Sequence, residues 1–160
     1  MVKAQSQPHG TPVNETAFFD RLLSRRVVAL VVVLACGTVL GFAAWLTPSA
    51  SGMGTHTQLG LPPCSWITTM DLPCPTCGYT TAFSNVAHGN FLTAIEAQPF
   101  GAVAGFATAV FFLGGLVVLV TGAPLGGILC RFWTMKVTWV VLGMMILAWG
   151  YTMLRFRGFF

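Results

Sequence analysis

Three of the five cysteines in this 160-residue chain fall within fourteen residues, at Cys64, Cys74 and Cys77. The last two frame a Cys74-Pro75-Thr76-Cys77-Gly78 turn. Proline sets one backbone angle and glycine permits another, so the N–H groups of such a turn can point at both sulfurs. Two chemistries use this arrangement. Zinc takes four Cys or His ligands in tetrahedral array; Cys74 and Cys77 supply two, Cys64 a third, and His88 is the candidate fourth. His88 lies eleven residues past Cys77, and a helix of that length rises about 16 Å, so the chain must fold back to bring the imidazole to the sulfurs. Redox chemistry uses the same atoms, because a CxxC at a helix N-terminus has its first thiol acidified by the helix dipole and neighbouring amides. Three thiols leave one odd sulfur for a relay or an intermolecular bridge. Neither a second CxxC knuckle nor a thioredoxin-like βαβ context accompanies the motif. Metal ligation, a disulfide clasp and a plain structural turn all stay open.

The environment of the thiols follows from composition. The chain is 55% hydrophobic and 8% charged, against about 25% charged residues in soluble domains. The apolar residues are concentrated in three uncharged runs, 27–46, 100–122 and 137–154. About twenty apolar residues cross a hydrocarbon core of roughly 30 Å, so each run reads as a transmembrane helix. The first is too long, and sits too far from residue 1, for a signal-peptide apolar region of about 7–15 residues; it reads as an uncleaved anchor. Residues 1–26 form a polar, largely disordered cytoplasmic leader, with the disorder reaching about Thr16, and 27–160 a single membrane domain. A nucleic-acid reader needs basic residues clustered on a folded surface, whereas the Arg and Lys here flank the apolar runs. A solute pathway needs charges within the spans, and they carry none.

Basic loops stay on the cytoplasmic side. Six basic residues lie in the leader and the 123–136 loop, and none lies in 47–99. The segment 47–99 is therefore expected on the outer side, in an oxidising compartment that favours disulfides. Arg155 and Arg157 then fall outside as well, against the rule, and an ion pair with Glu96 or Asp71 would neutralise them. Trp45, Trp66, Trp149 and Tyr151 mark the outer interface, and Trp133 and Trp139 the inner one. Gly37-x-x-x-Gly41 and Gly101-x-x-x-Gly105 would let the first two spans approach.

Within 47–99, residues 47–63 are rich in Pro, Gly, Ser and Thr and read as a loop. Residues 79–87 place Ala82, Phe83, Val86 and Ala87 at helical spacing. The His88-Gly89-Asn90 step ends that helix and caps a second over 91–97, and Pro99 opens the next span. Both short helices are expected along the membrane interface.

The segment from Cys64 to Gly101 resembles the DUF2752 family of small bacterial membrane proteins, marked by a CPxCGxTR-like core, a helix, a glycine and a proline-terminated second helix. Cys64, Cys74, Pro75, Cys77, Gly78, Thr80, Gly89 and Pro99 carry the likeness, and Arg155 near the end of the last span is a further shared feature. Thr81 stands where the family usually has arginine, Asp71 where glycine is common, Gln98 where asparagine is, and Ser65 where proline is. The resemblance implies the bacterial cytoplasmic membrane and brings no established activity. The expected protein is all-α, with three spans and two interfacial helices after the CPxCG turn. Its expected role is that of a non-catalytic accessory subunit bound to other membrane proteins, with a cysteine-clasped outer cap. The alternative is a thiol-redox or zinc- or copper-binding protein using Cys64, Cys74, Cys77 and His88. With no nucleophile–base pair or phosphate loop in the sequence, the reading leans away from an enzyme.

Overall fold

Each apolar run forms one helix, as it must where lipid offers the backbone no hydrogen bonds. The computed structural model describes residues 15–124 and 134–158, with side chains from Leu23 on. Among these the chain is all-α. Helix α1 spans Glu15–Trp45, a 3₁₀ turn Thr55–Leu59, α2 Ser65–Met70, α3 Tyr79–Ala87, α4 Phe91–Ala97, α5 Pro99–Thr121 and α6 Met135–Phe156. Stretches Leu23–Trp45, Pro99–Thr121 and Met135–Phe156 are long and apolar enough to cross a membrane. Their side chains mostly face outward; only 11% of the first and third are buried within the protein. Residues 15–26 of the leader belong to α1, and residues 1–14, where disorder is expected, lie outside the described residues.

Helix α5 shows how local chemistry sets the boundaries. Pro99 occupies its first turn, the Gln98 side chain accepts from the Gly101 N–H, and Gly122 closes the helix at φ 71°. Proline at the start and left-handed glycine at the end match their backbone preferences.

Of the expected glycine motifs, Gly37 faces α5 as anticipated, whereas Gly101 and Gly105 meet a different partner. A Cβ at Gly101 would lie 3.1 Å from Ala82 Cβ, and one at Gly105 3.3 Å from Val86 Cγ2, so both glycines admit α3 rather than α1. The close contact between α1 and α5 is at Gly115, where a Cβ would stand 2.7 Å from Val33 Cγ2, and at Gly37, 3.0 Å from the Phe112 ring. Gly41 has open space around it. Small residues at a crossing let backbones approach, but only the packed fold decides which glycines sit at one.

Helix α3 therefore buries one face against the rest of the protein. Ala82, Val86, Ala94 and Ala102 form the apolar cluster that joins α3, α4 and α5. Its other buried positions, Thr81, Ser84 and Asn85, are polar, and each is satisfied. Thr81 shares a 2.8 Å hydrogen bond with Thr55, Ser84 donates to the Leu46 carbonyl at 2.6 Å, and Asn85 donates to the Thr81 carbonyl at 3.0 Å. Buried hydroxyls and amides demand such partners, and here they tie the 47–63 segment and the end of α1 to α3. Helix α4 is likewise two-faced: Ala94 and Ala97 are buried while Phe91, Leu92 and Ile95 are exposed.

Candidate functional site: a three-thiol cap

The Cys64, Cys74 and Cys77 Sγ atoms all lie within 4.8 Å of one another, with Cys77 buried and the other two half-buried. Two separate pieces of chain bring them together. Cys64 sits at the N-cap position of α2, a helix absent from the sequence-based expectation. Cys74 and Cys77 are held by the turn, in which the Cys77 N–H donates to the Cys74 carbonyl at 3.0 Å. The Cys74 N–H also points at Cys77 Sγ across 3.2 Å, the sulfur contact that proline and glycine make possible. Between α2 and the turn, Asp71 adopts φ 53°, the one non-glycine left-handed residue among those described. Asp is among the few side chains that tolerate this conformation.

Gly78 fixes the depth of the turn. Its φ is 92°, and a Cβ there would meet the Ala97 carbonyl oxygen at 3.0 Å and that of Gly52 at 3.2 Å. Glycine alone meets both demands. Behind the turn, the Tyr79 hydroxyl and Gln98 Nε2 are buried without hydrogen-bond partners. Burial raises the Tyr79 pKa, an effect opposed by the neighbouring Gln98 side chain.

The thiols are not electrostatically equivalent. Burial pushes the Cys64 thiol up, but the Ile67 and Trp66 amides and the Cys77 and Cys74 thiols outweigh it, leaving the pKa lowered to about 7. Burial, reinforced by the side chains of Cys74 and Cys64, pushes Cys77 strongly up. Cys74 Sγ lies 3.2 Å from Cys77 Sγ and 3.2 Å from Thr76 Oγ1. The cluster thus pairs one readily ionised thiol with one held protonated, so a metal bound there must displace the Cys77 proton.

The structure separates the remaining candidates from this site. His88 is exposed at the end of α3, and its Nδ1–H donates to the Ser84 carbonyl at 2.7 Å; it is not among the converging donors. Of the residues quoted for the motif, Pro75 and Gly78 form the turn, Thr80 lies in the first turn of α3, Gly89 (φ 78°) breaks the chain between α3 and α4, and Pro99 starts α5. Cys36 lies half-buried in the first span; Cys130, His9 and Trp133 lie outside the described residues.

Arg155 does reach Glu96, but through the backbone carbonyl rather than the carboxylate, and Tyr151 OH donates to the same oxygen at 3.3 Å. The expected ion pair is thus replaced by a carbonyl contact, because the end of α4 presents its unpaired C=O to α6. Trp149 likewise faces inward, its Nε1–H donating to the Pro73 carbonyl at 3.0 Å. These bonds place the C-terminal end of α6 beside the thiol cap. Sequence reasoning missed Gln98 as a buried cap and Thr55 as the partner of Thr81, because both depend on segments distant in the chain.

Fold and site together define a helical protein with three span-length apolar helices and a three-cysteine cap at one end. Residues 64–112 match the family described as Protein of unknown function (DUF2752), so the likeness read from the cysteine motif holds over the stretch that builds the cap. No curated protein and no solved structure matches the chain.

Proposed function

We propose that the chain is a non-catalytic membrane protein whose cap holds one thiophilic metal ion, zinc or copper(I), on Cys64, Cys74 and Cys77. The reading is carried by the convergence of three sulfurs within 4.8 Å. With Zn–S bonds of about 2.3 Å, tetrahedral ligands stand about 3.8 Å apart. The Cys74–Cys77 separation of 3.2 Å and the 4.8 Å limit bracket that spacing. Thiolates select zinc and copper(I) over harder ions, and three protein ligands leave a fourth position open to exchange.

A second reading rests on the 3.2 Å Cys74–Cys77 contact, which is also the precursor of a disulfide clasp. In either case the cap is placed on the outer side with the N-terminus cytoplasmic. Support comes from the exposed Arg25 and Arg26 before the first apolar stretch and from the lack of Lys or Arg in 47–99. The accessory role draws support from an apolar cleft between α5 and α6, lined by Phe100, Val103, Met144 and Leu147, that could take apolar side chains of another subunit.

The test is elemental analysis and thiol counting on full-length protein, one portion purified without reductant and counted before and after reduction, the other reduced and then loaded with zinc or with copper(I). One ion per chain is expected, lost in Cys64→Ser and in Cys77→Ser and kept in Cys36→Ser. No metal, with two thiols recovered only after reduction, would establish the clasp instead.

A further inference from the structure

A second site lies on the other face of the Gly52–Ala97 layer. A cavity of about 250 Å³ opens between the 51–53 loop, the end of α4 and the last turn of α6, with Arg155 and Phe156 in its wall. A guanidinium offers five N–H donors. The contact Arg155 makes is from Nη1 to the Glu96 carbonyl, and among the described residues no carboxylate pairs with it. Holding a half-buried cation without a counter-charge is costly, and a cavity beside it is where an anion would relieve that cost.

The surroundings fix the guanidinium in place. Gly52, at φ 77°, lies directly against it: a Cβ there would stand in van der Waals contact, 3.6 Å from both Arg155 Cζ and Nη1. The Thr152 hydroxyl, also in the cavity wall, donates to the Ala148 carbonyl at 2.9 Å and Ser51 Oγ to the Met53 carbonyl at 2.9 Å, so Arg155 is the donor left to bind a ligand. Its height is equally specific. Arg155 directly follows the apolar run 137–154, at the level where a span meets the headgroup region. The fork of N–H groups matches phosphate oxygens, and Met53, Ala97 and Phe156 line the cavity with apolar surface.

We infer that this cavity binds a phosphate group through Arg155, supplied either by a membrane phospholipid headgroup or by free phosphate. The site is independent of the thiol cap and does not depend on a bound metal.

The experiment follows thermal unfolding of the full chain in a maltoside detergent. One arm adds inorganic phosphate against chloride at equal ionic strength. The other dopes the micelles with short-chain phosphatidylglycerol, or with the phosphate-free diacylglycerol. Phosphatidylglycerol is expected to raise Tm by about 3 °C or more, and diacylglycerol to leave it unchanged. An equal rise with inorganic phosphate assigns the site to free phosphate; a rise with the lipid alone assigns it to the headgroup. Either increment should vanish in Arg155→Gln and in Ser51→Trp, which fills the cavity mouth while leaving Arg155 present. Arg155 also contacts the end of α4, so if Arg155→Gln does not fold, Ser51→Trp decides. No increment from either source, or an increment that survives in the variants, overturns the site.

Discussion

Trp149 Nε1 donates a hydrogen bond to the Pro73 carbonyl at 3.0 Å, joining α6 to the residue that precedes Cys74. The partners are 76 residues apart in the chain; besides this bond, α6 reaches the Glu96 carbonyl of α4 through Tyr151 and Arg155 and meets α5 across an apolar cleft. The indole is therefore one of the few directional ties between the third span and the thiol cap. Trp149→Phe keeps the aromatic bulk and removes the donor, leaving the carbonyl of the buried Pro73 unpaired. It should cost about 1 kcal/mol, read as a Tm lowered by about 2–4 °C. Trp139→Phe, at an exposed position on the same helix, should leave Tm unchanged.

The asymmetry of the thiols gives a pH profile. Thiolate, not thiol, is alkylated. With its pKa lowered to about 7, Cys64 is half ionised at neutral pH, where an ordinary thiol is ionised to a few per cent. Its reactivity should rise as pH increases through about 7 and disappear as pH falls below it. Cys77, pushed up by burial, should stay unmodified across the neutral range. Mass spectrometry after brief iodoacetamide treatment of the reduced protein, at a series of pH values, checks both statements. Equal labelling of Cys64 and Cys77 at pH 7 would contradict them.

Backbone conformation around the turn predicts substitutions of opposite sign. Gly78→Ala combines a left-handed φ of 92° with backbone oxygens 3.0 and 3.2 Å from the new Cβ, and should cost about 1–3 kcal/mol or more. Asp71→Gly relieves the left-handed strain at φ 53° and should stabilise the cap by about 0.5–1 kcal/mol. Gly41→Ala, in open space within α1, should be neutral or slightly stabilising, since alanine is the better helix former. Thermal or denaturant unfolding of the three variants in one detergent gives the ordering directly.

The apolar runs, the Gly89 break and the Pro99 start were legible in the sequence because each is a local matter. Hydropathy sets a span, and proline and glycine fix their own dihedrals wherever they stand. Cys64, Cys74 and Cys77 were legible as residues able to act together, since their side-chain type does not depend on context. What the linear order could not supply was distance. His88 faced away to its own helix carbonyl, Arg155 met Glu96 at the backbone rather than the carboxylate, and Gly101 and Gly105 admitted α3 instead of α1. Helix α2, which carries Cys64 to the other sulfurs, is six residues long, too short for periodicity to reveal. The sequence alone determined a helical membrane chain and its reactive atoms. Only tertiary packing decided which of those atoms meet, because contacts between segments far apart in the chain depend on how helices cross and which buried polar groups must be satisfied.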